Sequence, residues 1–190
     1  VGRNTAGKFG IDVARHSGEY APKRTAKGDP LGGATPEQLL ESDVVLWAGH
    51  CSVHKLFRPE HCDEVRAENT ERVARGEQPV QILVHPECCK EVVDKSDLAG
   101  STEFIIRTIE AAEPGSAWAV GTEVHLVNRL AHAAKSRGAS VRILSDCQRL
   151  CTTMYRLDAP HLLWILDQRC GHDPHTGHAP AMVLAKAIHV

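Results

Sequence analysis

The chain has 190 residues, 42% of them hydrophobic, which is enough for one large domain or two small ones with packed cores. Its 22 Lys and Arg against 24 Asp and Glu leave a net charge of -2, without the basic footprint of a nucleic-acid or anionic-lipid binder. No apolar run reaches membrane-spanning length and the N-terminus lacks the basic and apolar regions of a signal peptide, so a cytoplasmic protein with no membrane or nucleic-acid partner is expected.

In chain order, residues 15–36 (RHSGEYAPKRTAKGDPLGGATP) are polar and rich in Gly and Pro, and read as a long surface loop before a helix at 37–40. Residues 44–47 form the first of four short apolar runs. The others are 80–84, 118–120 and 141–144, and such runs mark strands buried on both faces. Helical stretches lie between most of them. Residues 60–75 carry charge with a sparse apolar stripe. Residues 102–112 place Phe104, Ile105, Ile106 and Ile109 on one side, and residues 124–137 repeat the pattern and close on Gly138 as a C-cap. A last amphipathic helix is predicted over 160–168, ahead of a polar tail with His172, His175 and His178 that reads as mobile. The order βαβαβ implies right-handed crossovers and parallel sheets covered by helices, an α/β fold class.

Seven cysteines (Cys51, Cys62, Cys88, Cys89, Cys147, Cys151 and Cys170) are odd in number and irregularly spaced, a poor fit to a disulfide framework. Buried structural thiols and metal or cluster ligands both remain open. In parallel sheets, ligands bind beyond the carboxyl ends of the strands. Here those ends are polar: Gly49-His50-Cys51-Ser52-Val53-His54 after the first run, His85-Pro86-Glu87-Cys88-Cys89 after the second, Gly121-Thr122-Glu123 after the third, and Ser145-Asp146-Cys147, then Cys151, after the fourth. Four strand ends would thus deliver thiols, imidazoles and carboxylates to one edge. Cys51 and His54 stand in a C-x-x-H arrangement that suits either packing or a thiolate ligand beside a proton-moving imidazole. Gly100-Ser101-Thr102 before the helix at 102 is either an ordinary N-cap or an anion site, or both. Partial desolvation after a buried strand would raise the Glu87 carboxyl pKa toward general acid or base work, and an exposed loop Glu is the alternative. Cys88 and Cys89 read as structural thiols, since adjacent thiols rarely both bind one metal.

Several segments together resemble the quinolinate synthase family: GRNTAGKFGI at 2–11, VVLWAGHCSVHKLF at 44–57, ILVHPECCKEVVDKSDLAGSTEFII at 82–106, AVGTEVHLVNRL at 119–130 and CTTMYRLDAPHLLWILD at 151–167. The V-H-P-E strand end followed by G-S-T, combined with W-x-G-x-C-x-V-H, carries the resemblance. It implies three similar αβα domains around a pseudo-threefold axis, each giving one cysteine to a central [4Fe-4S] cluster with one open iron, and condensation of iminoaspartate with dihydroxyacetone phosphate to quinolinate in NAD biosynthesis. It implies Cys51 and Cys151 as cluster ligands and Glu87 and His54 as catalytic residues, Glu87 being the one for proton transfer. His85, Ser101, Thr102 and Thr122 would bind substrate, with Ser101 and Thr102 holding an anion. An enzyme that oxidises aspartate to iminoaspartate is the implied partner.

On that resemblance residues 1–55 would complete a middle domain, 56–143 would form a third domain, and 144–190 would return to a first domain that has no counterpart in this chain. Two of the three cluster ligands would then be present, and the chain by itself is expected to be inactive. A competing reading is a non-catalytic α/β protein binding zinc through Cys51, His54, Cys147 and Cys151. A zinc hydrolase with Glu87 as base is disfavoured, because no H-E-x-x-H or similarly compact ligand set occurs.

Overall fold

Residues 1–145, 151, 154 and 158–170, the last four by backbone alone, are described by a computed structural model of the chain. The chain divides into two units, Val1–Arg149 and Leu150–Val190.

The first unit begins with α1 (Gly2–Lys8), β1 (Ser17–Tyr20), α2 (Pro22–Thr25), α3 (Pro36–Leu40) and β2 (Val44–Trp47). Residues 15–36 are therefore not one loop. Ser17–Tyr20 pairs in parallel with Val44–Trp47, Ser17 opposite Val44 and Tyr20 opposite Trp47, and the two rings lie 5.4 Å apart. S-G-E-Y has no apolar run of its own, so its strand character comes from the partner strand. At α3, Thr35 and Gln38 form a reciprocal capping box with Pro36 in the first helical turn.

A 3₁₀ turn (His54–Leu56) leads into α4 (Pro59–Ala74), β3 (Val80–Val84), α5 (Lys90–Lys95), β4 (Leu98–Ala99), α6 (Thr102–Glu110), β5 (Ala117–Gly121), α7 (Val124–Lys135) and β6 (Ser140–Ile143). Four of these strands make one all-parallel sheet in the order β4-β3-β5-β6. The fold is α/β, as expected, although the first of the four apolar runs lies in the two-stranded sheet and not beside the other three. Register places Leu83 opposite Val120 and Val120 opposite Ile143. That face packs on Ile105 and Ile109 of α6 and on Val127, Leu130 and Ala134 of α7. Each of the Val, Leu and Ile side chains, removed from water, contributes about 1.5–3 kcal/mol. Phe104 departs from the expected stripe and is 41% exposed, because one residue along a helix turns about 100° away from Ile105. On the other side of β3, α4 carries buried Val65 and Asn69, which completes a helix–sheet–helix layering.

Helix ends follow local chemistry. Ser101 caps α6 by accepting from the Phe104 N–H, and Glu123 caps α7 by accepting from His125 and Leu126. Gly76 follows α4 at φ 73°, the left-handed exit for which glycine is favoured. In the second unit the described helix α8 spans Ala159–Cys170, enclosing the helix expected at 160–168. Cys147 and the histidines of the C-terminal tail lie outside the described residues. No described helix is long and apolar enough to cross a membrane.

Candidate functional site

The sheet edge beyond the carboxyl ends of β3 and β5 gathers most of the residues singled out from sequence. β3 ends at Val84, so His85 and Glu87 fall just past the sheet, where the His85 N–H donates to the Gly121 carbonyl at the end of β5 (3.1 Å). Thr122 follows β5 directly and is buried. Cys51 and His54 reach the same edge by a different route, since β2 belongs to the other sheet. Val53 and Phe57 are fully buried and pin the 3₁₀ turn, which leaves His54 between them only 7% exposed.

His54 is the hub. Its Nδ1 lies 3.0 Å from Glu87 Oε2 and its Nε2 lies 3.4 Å from Thr122 Oγ1. The His54 and His85 rings stack with centroids 4.6 Å apart, and His85 Nδ1 stands 3.8 Å from the same Glu87 oxygen. Ligand atoms of Cys51, His54 and Glu87 all fall within 4.8 Å of one another. Despite the short approach to Glu87, His54 Nδ1 is not aligned for a hydrogen bond and is a buried polar atom without one. A buried polar atom without an aligned partner costs free energy, and Glu87 is the group nearest to supply one.

Burial lowers the pKa of His54 to about 4, with the neighbouring His85 acting in the same direction and Glu87 opposing. Burial lowers that of His85 as well. Both imidazoles are therefore neutral near pH 7. Because His85 Nδ1 accepts the Glu87 N–H (3.2 Å), the tautomer assigned to His85 carries its proton on Nε2. Glu87 is less buried than expected of a residue following a core strand: 37% of its side chain is exposed, although its carboxylate reaches the buried His54. The alternative reading, an exposed loop carboxylate, describes its surroundings better.

Ser101 and Thr102 stand at the end of β4, one strand further along the same edge, where the Gly100 N–H donates to the Val84 carbonyl (3.1 Å). The Ser101 hydroxyl serves as the cap of α6, and both residues are exposed. Cys151 belongs to the second unit, where its half-buried Sγ accepts the Met154 N–H at 3.4 Å. Cys88 and Cys89 behave as structural thiols. Burial pushes the Cys88 thiol up to about 12 and raises that of Cys89, and their sulfurs point at the Gly121 and Phe57 carbonyls (3.6 and 3.7 Å). Where the zinc reading joined Cys147 and Cys151 to Cys51 and His54, the group found among the described residues is completed by Glu87.

Sequence reasoning missed Asn4, whose amide grips the turn bearing Glu87, and the pins Val53 and Phe57. The flanking apolar pair in S-V-H-K-L-F was a usable signal for the pins; nothing local marked Asn4.

Within the first unit, Cys51 offers one half-buried thiol beside an imidazole and a carboxylate, a donor set compatible with one thiolate ligand of a soft metal or an iron–sulfur centre.

The family described as Quinolinate synthetase A protein matches residues 14–181. Proteins named quinolinate synthase are similar over 88% of the chain: that of Nocardioides sp. at 49% identity over 168 residues, that of Acidobacterium capsulatum at 44% over 170, and that of Rhodopirellula baltica at 43% over 167. The chain spans about two fifths of their length, 39%, 41% and 39% respectively.

Proposed function

The chain belongs to the quinolinate synthase family, and on that premise we propose that it supplies the Cys51, His54, His85 and Glu87 edge of an active site that condenses iminoaspartate with dihydroxyacetone phosphate to quinolinate, with loss of water and phosphate. The observation that carries the reading is the convergence of Cys51, His54 and Glu87 within 4.8 Å, from separate strand ends, in a chain with this ancestry. Cys51 and Cys151 are the thiolates proposed to hold a [4Fe-4S] cluster; the third cysteine that the resemblance implies has no match in this chain. When bound, such a cluster supplies an iron with an open position, a Lewis acid toward a substrate carboxylate or hydroxyl.

The chain's own residues would do the rest. Glu87, partly exposed and 3.0 Å from His54, accepts and returns the proton of the dehydration. His54, neutral and 3.4 Å from the Thr122 hydroxyl, presents Nδ1 to the Glu87 carboxylate without adding charge. His85 orients both through its stack and its bond to the Glu87 N–H. Ser101 and Thr102, at a helix N-terminus, would bind an anionic group of substrate, as Thr122 would bind a polar one. The domain assignment 1–55, 56–143 and 144–190 within a pseudo-threefold enzyme, a cytoplasmic location and supply of iminoaspartate by an aspartate-oxidising enzyme belong to the same proposal.

The test is anaerobic reconstitution with iron and sulfide, of this chain alone and together with the remaining part of a longer relative, followed by the visible spectrum, metal content and quinolinate formation. A brown, catalytically active protein in the second case, losing turnover but not colour in Glu87→Gln, is the expected result. Stoichiometric zinc and no colour in either case would overturn it and favour the metal-binding alternative.

A further inference from the structure

Asn4 lies on α1, ahead of the matched residues 14–181, and none of the roles above falls to it. Its amide nitrogen has two N–H groups, and both are used: Nδ2 donates to the Pro86 carbonyl and to the Cys88 carbonyl, each at 2.9 Å. Those two carbonyls flank Glu87 in sequence.

The backbone N–H groups of this turn are held by the turn itself and by β5. The His85 N–H is tied to Gly121 (3.1 Å), the Cys88 N–H to the His85 carbonyl (3.0 Å) and the Glu87 N–H to His85 Nδ1 (3.2 Å). They tie the turn through its N–H groups, whereas Asn4 meets it from the carbonyl side. A planar amide whose two donors meet two acceptors sets the direction of both carbonyls together. It thereby holds the Pro86–Glu87 peptide plane, which enters the Glu87 Cα, and the Cys88–Cys89 plane one residue beyond it, and so clamps the backbone on both sides of the residue whose carboxylate reaches His54.

We propose that Asn4 is a positioning residue that acts through Glu87, holding its carboxylate at the 3.0 Å approach to His54. This rests on the reading of Glu87 as the proton-transfer group. A displacement of about 1 Å at a reacting group can cost on the order of a hundredfold in rate.

The test compares Asn4→Ala, Asn4→Asp, Glu87→Gln and the double variant Asn4→Ala/Glu87→Gln in the reconstituted, cluster-bearing protein. Asn4→Asp keeps the shape while removing both N–H groups, and guards against a cavity effect. The expected result is a fall in kcat of about 10–100-fold in either Asn4 variant with KM within about twofold and the cluster spectrum retained. Adding Asn4→Ala to Glu87→Gln should then cost less than about twofold, since a residue acting through Glu87 has nothing left to position. A second readout, independent of turnover, is the imidazole nitrogen NMR of His54 in this chain, which Asn4→Ala should move and Lys8→Ala on the same helix should not. Full kcat in Asn4→Ala, an equal loss on the Glu87→Gln background, or an unmoved His54 signal would overturn the inference while leaving the role of Glu87 intact. Full turnover in Glu87→Gln itself would overturn both.

Discussion

The Asn69→Ala substitution tests how the strand that delivers His85 and Glu87 is held. β4 pairs only with Leu83 and Val84, so along Val80 and Ile82 the edge of β3 has no strand beside it. Side chains fill the gap. Asn69 Oδ1 accepts the Val80 N–H (2.6 Å) while its Nδ2 donates to the Val80 carbonyl (2.9 Å), and Asp97 meets Ile82 in the same way with its carboxylate and its backbone N–H (2.7 and 2.9 Å). Asn69 is 9% exposed and Val80 is buried. Alanine at 69 leaves one donor and one acceptor of Val80 away from water, at about 1–3 kcal/mol each, so a net loss of about 2–4 kcal/mol is expected after the amide's own burial cost is recovered. Against a total stability of about 5–15 kcal/mol the variant still folds. With a urea slope of about 2 kcal/mol/M, the midpoint of the far-ultraviolet circular dichroism transition should fall by about 1–2 M at unchanged slope. Glu71→Ala, on the exposed side of the same helix, should stay within about 0.5 kcal/mol. A loss below about 1 kcal/mol in Asn69→Ala would refute the accounting, because it would mean that water reaches the strand edge in place of the amide.

Two further outcomes follow from the site. Alkylation of the native chain near pH 8 should label Cys51 and Cys151 well before Cys62 and Cys88, whose thiols burial pushes up to about 11 and about 12; peptide mass spectrometry reads the order, and equal labelling of Cys88 and Cys51 would contradict it. Because the pKa of His54 is lowered from 6.5 to about 4, the unfolded chain binds more protons than the folded one between those values, so stability is complete above about pH 6.5 and falls as the pH drops toward 4. Urea midpoints across that range should show the slope, and His54→Gln should flatten it.

Particular residues show how far the sequence could be read. The apolar runs 44–47 and 80–84 coincide with β2 and β3, and Thr102 begins a helix capped by Ser101, because short runs rich in Val, Ile and Leu and cap chemistry act over a few residues. β1 escaped because Ser17–Tyr20 is a strand only by virtue of its partner. Phe104 escaped because a 9-residue helix carries several apolar side chains and only packing decides which of them face the sheet. The exposure of Glu87 escaped because burial of a strand does not fix the burial of the turn that follows it.

For the site, residue types and their strand-end positions already named Cys51, His54, His85, Glu87 and Thr122; in a parallel sheet the chain direction itself sends His85, Glu87 and Thr122 to one edge, whereas Cys51 and His54 arrive there from the other sheet. What only the tertiary structure decided is which of them touch: that His54 is the hub between Glu87 and Thr122, that Ser101 is engaged as a cap, and that Asn4, some eighty residues away in sequence, holds the turn of Glu87. The physical reason is the range of the interactions. Propensity, capping and strand direction are local and are written in short segments. A hydrogen bond across that separation depends on where packing brings two segments together, and no pattern in either segment records it.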